Sequence, residues 1–218
     1  MRLIHMAFRV SRKKLFQFLF AFLLITQTLS AQNENPFWEK VELGIKAGTN
    51  VGTLITDANS RMNVRATYQI GLLAEYTISE KFSFIPELIY SRQGENSRGT
   101  LDGSRFRNVL MLDYAAMPLM INYNLIDGLW AETGVQPAVL IRAEYDQVLG
   151  SQGNVQSVNS NFKPFDMLYN IGLRYKTEWG FFIGFRYSIG LNNSLENSFL
   201  GANTMRHSVY QFNFGYFF

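Results

Sequence analysis

The sequence predicts an all-β fold, an eight-stranded antiparallel up-and-down transmembrane β-barrel. Three observations carry this reading. Eight strand-length segments, all but the fourth alternating apolar and polar residues with period two, are joined by linkers that alternate strictly long and short. The final segment, His207 to Phe218, sets Tyr210, Phe212, Phe214, Tyr216 and Phe218 on one face of a strand and Gln211, Asn213, Gly215 and Phe217 on the other. In a soluble protein another layer would have to cover that aromatic face. An apolar outside and a polar inside fit a membrane barrel whose last strand pairs back onto its first, leaving no open edge.

Residues 1–31 read as a signal peptide that is removed. Arg2, Arg9, Arg12, Lys13 and Lys14 form a basic start, Leu15 to Ile25 is apolar apart from Gln17, and Leu29-Ser30-Ala31 supplies small residues for cleavage. The apolar run is about half the ~20 residues that a spanning helix needs. Residues 32–40 form a short periplasmic lead-in, and 41–218 form the barrel domain. The chain holds 20 Lys+Arg against 17 Asp+Glu, and the leader takes five of the basic residues and none of the acidic ones, leaving 15 against 17. The basic balance therefore belongs to the leader and gives no reason to expect nucleic acid as a partner. With no cysteine in the chain, a disulfide scaffold and a lipid-modified cysteine are both excluded.

Within the barrel domain, Val41, Leu43, Ile45 and Ala47 face out, with Glu42, Gly44, Lys46 and Gly48 facing in, up to Gly52. Leu54 to Val64 reads as a polar loop. In the second strand, Arg65 to Tyr76, the residues Tyr68, Ile70, Leu72, Ala74 and Tyr76 point out, and Gln69, Gly71 and Glu75 point in. After a tight turn the third runs from Phe82 to Gln93, with Phe82, Phe84, Leu88 and Tyr90 out and Ser83, Glu87 and Ser91 in; Pro86 within it predicts a bulge. Gly94 to Asn108 reads as a polar loop. The fourth strand, Leu110 to Tyr123, is apolar on both faces, and the preferred register puts Ala115, Met117, Leu119, Ile121 and Tyr123 outward.

The fifth strand, Leu129 to Arg142, directs Leu129, Ala131, Val135, Val139 and Ile141 out, and Trp130, Glu132, Gly134, Gln136 and Arg142 in. Ala143 to Pro164 is the longest expected loop. In the sixth, Asp166 to Lys176, Met167, Tyr169, Ile171, Leu173 and Tyr175 face out and Asn170, Gly172, Arg174 and Lys176 face in. The seventh, Phe181 to Leu191, has Phe181, Ile183, Phe185, Tyr187 and Ile189 out against Gly184, Arg186, Ser188 and Gly190 in, and Asn192 to Arg206 links it to the closing strand. Short turns on one side and long loops on the other are the arrangement of outer-membrane barrels, with the short turns periplasmic. The expected location is thus the cell outer membrane.

Glu42, Lys46, Glu75, Glu87, Glu132, Arg174 and Arg186 all fall on inward positions and form the candidate lumen charge cluster. Eight strands leave an interior that side chains can fill, and mixed charges there should pair. A structural plug is favoured over an ion path.

Four motifs then carry a resemblance: Pro86-Glu87-Leu88-Ile89-Tyr90-Ser91, Leu112-Asp113-Tyr114-Ala115-Ala116-Met117-Pro118-Leu119, Phe165-Asp166 leading into Asn170-Ile171-Gly172, and Gly184-Phe185-Arg186-Tyr187-Ser188-Ile189-Gly190-Leu191. Together, over about Val41 to Phe218, the chain resembles the PorT-like outer membrane β-barrel domain family. Many members carry Glu two residues before the fourth-strand proline, where this chain has Ala116. The resemblance implies an eight-stranded barrel in a Gram-negative outer membrane. It implies no single activity, since members are porin-like or uncharacterised and the namesake takes part in protein secretion.

No catalytic constellation emerges. His207 is the only histidine after the leader, and Ser208 beside it points to the opposite strand face; a catalytic pair would need another serine, such as Ser188, and an orienting carboxylate. The favoured reading is a rim histidine. One histidine and no cysteine give no metal set, and Asp57, Asp102 and Asp146 lack calcium-loop spacing. Gly150-Ser151-Gln152-Gly153 lacks the lysine and helix of a phosphate loop. The expected protein is a small non-enzymatic barrel without cofactor, its lumen closed by polar side chains. Its expected partners are outer membrane lipid, the barrel assembly machinery during insertion, and a surface ligand or secretion component met by the long loops. A narrow porin or secretion-accessory barrel is the alternative, and a lipid-modifying enzyme using His207 comes third.

Overall fold

The computed structural model describes residues 38–57, 64–101, 104–149 and 152–218. The expected signal peptide, most of the lead-in, and Asp102, Gly150 and Ser151 lie outside the described residues. Contacts divide the chain after Glu39, and the second unit, Lys40–Phe218, holds every strand. A single 3-10 turn, Trp38–Lys40, precedes the first of them.

Ten strand segments form one antiparallel sheet: β1 (Val41–Thr56), β2 (Arg65–Thr77), β3 (Phe82–Leu101), β4 (Ser104–Ala116), β5 (Leu119–Ile126), β6 (Leu129–Leu149), β7 (Gln152–Ser157), β8 (Phe165–Lys176), β9 (Phe181–Gly190) and β10 (Met205–Phe217). The sheet closes because β10 pairs with both β9 and β1, from Gly44 opposite Phe217 to Thr56 opposite Met205. β4 and β5 are one stave broken at Met117-Pro118, since both continue the same register on β3, with Ile89 opposite Ala116 and Pro86 opposite Leu119. β7 is a short return strand that pairs only with β6 among the described residues. Eight staves therefore surround the lumen, and the wall is an all-β, antiparallel, up-and-down barrel.

Pro86 causes no bulge: Leu73 opposite Glu87 and Tyr76 opposite Phe84 keep one register across it. The wall accommodates three prolines on neighbouring staves by giving up single ladder bonds. Glu87 N–H donates to Pro118 O (2.9 Å) and Met117 N–H to Pro137 O (2.9 Å), and neither proline can return the bond. The bulge sits instead on β6, where the pairs Asp113–Arg142 and Tyr114–Leu140 leave Ile141 unmatched. Its extra residue inverts the alternation, so Arg142 points outward rather than into the lumen, and the buried positions continue as Ala143 and Tyr145.

The outward registers of every stave put large apolar residues on the exterior. Ile45, Ile70, Leu88, Ile121, Ile171, Ile183, Phe212 and Phe214 are all exposed, while Gln69, Gln136, Asn170, Gln211 and Arg186 are buried. A polar inside and an exposed apolar outside are the reverse of a soluble domain. The band has sharp limits. On β3 the outward residues run Phe82, Phe84, Pro86, Leu88, Tyr90 and then Arg92, a span close to the ~9–11 residues of a transmembrane strand. Arg92 and Arg142 meet on Asp113 at that upper limit, at 2.7 and 2.9 Å, and Arg92 lies over the Tyr68 ring at 5.4 Å. Aromatic pairs line the band as well: Tyr187 and Tyr210 pack at 4.9 Å, and Phe82 and Tyr123, close to the short turns, at 5.0 Å.

Strands do not end at the band. The expected loops Gly94–Asn108 and Ala143–Pro164 are largely strand, forming the β3–β4 and β6–β7 hairpins, and Leu54 belongs to β1 rather than to a loop. Polar residues at these positions do not prevent pairing, because the hairpin ladders satisfy the backbone above the membrane as well as within it. The turns at the other end stay short: Ile78–Lys81, Asp127–Gly128 and Thr177–Gly180.

Candidate functional site

Most of the buried charge among the described residues lies in the lumen, which divides into three layers. Nearest the short turns, β1, β2, β3, β6, β8 and β9 each contribute inward charges. Lys46 Nζ lies 2.8 Å from Glu87 Oε2, Arg186 Nη2 2.9 Å from Glu87 Oε1, and Arg186 Nε 2.8 Å from Glu132 Oε1. A second group joins Arg174 Nη2 to Glu75 Oε1 at 2.9 Å and Lys176 Nζ to Glu75 Oε2 at 3.0 Å, with Lys176 also bonded to Glu42. Ser83 Oγ donates to Glu75 at 2.7 Å. Each group holds two cations and two carboxylates, so each is neutral. Of the eight residues, Glu42 alone is exposed, at the rim. Lys176 is the member that the candidate cluster lacked, although its inward parity was readable; its place is fixed by Gly172, Arg174 and Lys176 alternating along β8.

The inward glycines open the space these long side chains need. A Cβ on Gly215 would stand 2.5 Å from the Phe182 ring and 2.2 Å from Ile45 O. Phe182 and Phe217 fill that gap, and the Arg174 guanidinium lies 5.7 and 5.3 Å from their ring centres.

Above the charges comes an amide layer. Gln69 Nε2 donates to Asn213 Oδ1 (2.6 Å) and Gln211 Oε1 (3.2 Å), Asn50 Nδ2 to Ser91 Oγ (3.0 Å), and Asn170 Nδ2 to Gln136 Oε1 (3.1 Å).

The third layer differs from the polar closure expected. Leu110, Leu112, Tyr114, Leu168 and Met205 face inward from the walls, and Phe162, Leu195, Phe199 and Ala202 come down from the connections that precede β8 and β10. Phe199 packs on Tyr145 and on Phe162, each at 5.5 Å. The mouth is therefore sealed by an apolar core. The reason is local: the β9–β10 linker reads as polar overall, yet bridges Phe162–Leu195 and Phe199–Ala202 turn its few apolar residues inward. Leu200 and Gly201 at the tip take positive φ, 50° and 79°, which glycine accepts freely. Asp57 fastens this lid to the end of β1, accepting bonds from Asn203 N–H (2.9 Å) and Thr204 N–H (3.0 Å), and these donors hold its carboxyl below the ordinary aspartate range.

His207 is a buried residue rather than a rim one. Its Nε2 lies 3.2 Å from Asp166 Oδ2 and 3.1 Å from Tyr114 Oη, and Ser194 Oγ donates to the same Asp166 oxygen at 2.6 Å. A carboxylate does orient the imidazole, but the serine bonds the carboxylate and not the ring. The order is Ser–Asp–His, which gives no activated hydroxyl. Ser188 stands on β9 opposite Val209, and its buried hydroxyl bonds neither the imidazole nor Asp166. Among the described residues no group of three or more His, Cys, Asp or Glu is placed to hold a metal.

The barrel is closed, with an apolar exterior, an interior whose charges are largely paired, and long hairpins at the end away from the short turns. The model of the outer membrane protein beta-barrel domain matches residues 30–196. The chain belongs to the outer membrane protein beta-barrel domain family. Outer-membrane localisation follows from that membership. Among solved structures, Ail, the attachment invasion locus protein of Yersinia pestis, matches with 11% identity over 82% of this chain and 99% of that chain, at a TM-score of 0.51. Neisserial surface protein A (NspA) matches with 10% identity over 81% and 97%, TM-score 0.49, and OprG from Pseudomonas aeruginosa with 14% over 81% and 95%, TM-score 0.38. At 11% identity the likeness to Ail speaks to the barrel fold and to nothing finer. A search of curated proteins gives no match.

Proposed function

We propose that this outer membrane barrel is a non-enzymatic scaffold with a closed lumen that meets a surface ligand or a secretion component through its extracellular hairpins. The observation that carries the proposal is closure in depth: two neutral ion clusters fill the lumen nearest the short turns, an amide layer lies above them, and an apolar core closes the far end. A water-filled pore needs a continuous polar path, which the layer of Leu112, Phe162, Leu195 and Phe199 interrupts. The seven residues Glu42, Lys46, Glu75, Glu87, Glu132, Arg174 and Arg186, with Lys176, act in this reading as a structural plug. Residues 1–31 serve as a cleaved export signal, and the barrel assembly machinery inserts the rest. The four sequence motifs support the narrower PorT-like affiliation.

Planar bilayer recording tests the proposal. The reconstituted barrel gives no stable single-channel steps, whereas Leu112→Ser with Phe199→Ser, which wets the apolar layer, gives flickering conductance. Stable steps from the wild-type barrel would instead select the narrow-porin reading.

A further inference from the structure

Among the described residues, the β6–β7 hairpin leaves one strand edge without a neighbour. β7 pairs with β6 from Glu144 opposite Ser157 to Leu149 opposite Gln152. Val158 N–H donates to Ala143 O at 3.0 Å, which marks Ala143–Val158 as a hydrogen-bonded pair. Such pairs alternate along an antiparallel ladder, so Gln156 and Asn154 turn their backbone groups toward β6. The N–H and C=O of Gly153, Val155 and Ser157 therefore point to the open side. Residues 154 to 157 are all exposed, and Val155 is 58% exposed. Natural sheets guard such edges with lysine, proline or a bulge. The sequence of β7, Gln-Gly-Asn-Val-Gln-Ser, carries neither proline nor charge.

We propose that this edge is a strand-addition site for an extended, basic peptide segment of another protein, docking through the backbone of Gly153, Val155 and Ser157. It rests on the hairpin-contact reading above and specifies its chemistry. Main-chain bonds supply affinity in strand addition, and flanking side chains supply preference. On the face that Val155 and Ser157 share, their cross-strand neighbours are Asp146 and Glu144; Arg142, held by Asp113 at 2.9 Å, also reaches Glu144 at 3.5 Å, so among the described residues Asp146 is the carboxylate of this face outside any ion pair. A peptide alternating lysine with apolar residues suits that face. A second copy of this chain in the same membrane does not suit the edge. Copies there stand the same way up, and a two-fold axis along the membrane normal would set N–H against N–H and C=O against C=O.

The test uses the full barrel in phosphatidylcholine nanodiscs and two nine-residue probes, one alternating lysine with valine and one alternating glutamate with valine. Amide exchange read by NMR is expected to be fast at Gly153, Val155 and Ser157 in the barrel alone, and to slow at least tenfold at these three with the lysine probe. Val155→Pro removes one outward N–H without touching the β6 ladder, and should weaken binding at least tenfold while the amides of Asn154 and Gln156 stay protected. Glu144→Lys with Asp146→Lys should transfer the preference to the glutamate probe. Absence of protection with the lysine probe overturns the proposal, as does equal binding by Val155→Pro. Protection that appears with barrel concentration alone, without peptide, overturns it in favour of self-pairing. A barrel that conducts would sink the closed-lumen reading and leave the edge result standing; a silent barrel with unprotected edge amides sinks the edge alone.

Discussion

Glu87→Ala is expected to destabilise the folded barrel by about 3–5 kcal/mol, the usual cost of stranding buried charge by removing its partner. Glu87 is the one carboxylate that both Lys46 and Arg186 approach, at 2.8 and 2.9 Å, and all three side chains are nearly fully buried. Removing it leaves two buried cations against Glu132. The double variant Lys46→Met with Glu87→Met leaves Arg186 and Glu132 as a neutral pair, and should recover most of the loss. Urea unfolding in lipid vesicles, followed by tryptophan fluorescence, measures both. A single variant as stable as the wild type would mean that the lumen is wet enough to solvate lone charges, and the plug reading would fail with it.

Phe214→Arg is the second large effect. Phe214 lies on the outward face of β10 between Phe212 and Tyr216, opposite Ala47 of β1 and Ile183 of β9. An arginine near the midplane of the lipid face costs about 2–4 kcal/mol in such barrels, falling toward ~0–1 kcal/mol near the interfaces. Phe218→Arg, beyond the rim, is therefore the control and should be close to neutral. The same unfolding measurement separates them, and equal losses at 214 and 218 would argue against a lipid-facing gradient.

The parts that were legible in the sequence are those set by the pleat. A period of two assigns each residue to lipid or lumen, and once Tyr210, Phe212 and Phe214 are placed outward, Gln211 and Asn213 follow with no further information. The inward parity of Glu42, Lys46, Glu75, Glu87, Glu132, Arg174 and Arg186 is the same inference. What parity cannot give is which inward charges meet across the lumen: Arg174 reaches Glu75 and Arg186 reaches Glu87, both 99 residues apart in sequence. Arg142 was lost to a bulge, a one-residue event that no alternation pattern announces in advance. The polar hairpins read as loops because composition marks solvent exposure, and solvent exposure is as compatible with strand as with coil. The apolar seal was hidden for the opposite reason. Phe162, Leu195 and Phe199 lie in polar surroundings without period, and only the bridges between their connections bring them together. His207 likewise reads as a rim residue, because nothing in the sequence signals that Asp166 and Ser194 come together beside it.

The central claim is that hydrocarbon covers one face of each stave while the other face is packed and dry. Single-cysteine scanning of Tyr210 to Tyr216 on β10 tests it most directly, because the chain has no cysteine of its own and each variant carries one label site. With nitroxide labels in lipid bilayers, positions 210, 212, 214 and 216 should be reached by dissolved oxygen and not by a water-soluble nickel reagent, and positions 211 and 213 by neither; Gly215 is left in place, since a Cβ there would meet Ile45 O at 2.2 Å. Access of the nickel reagent to 211 and 213, or to 212 and 214, would contradict the account.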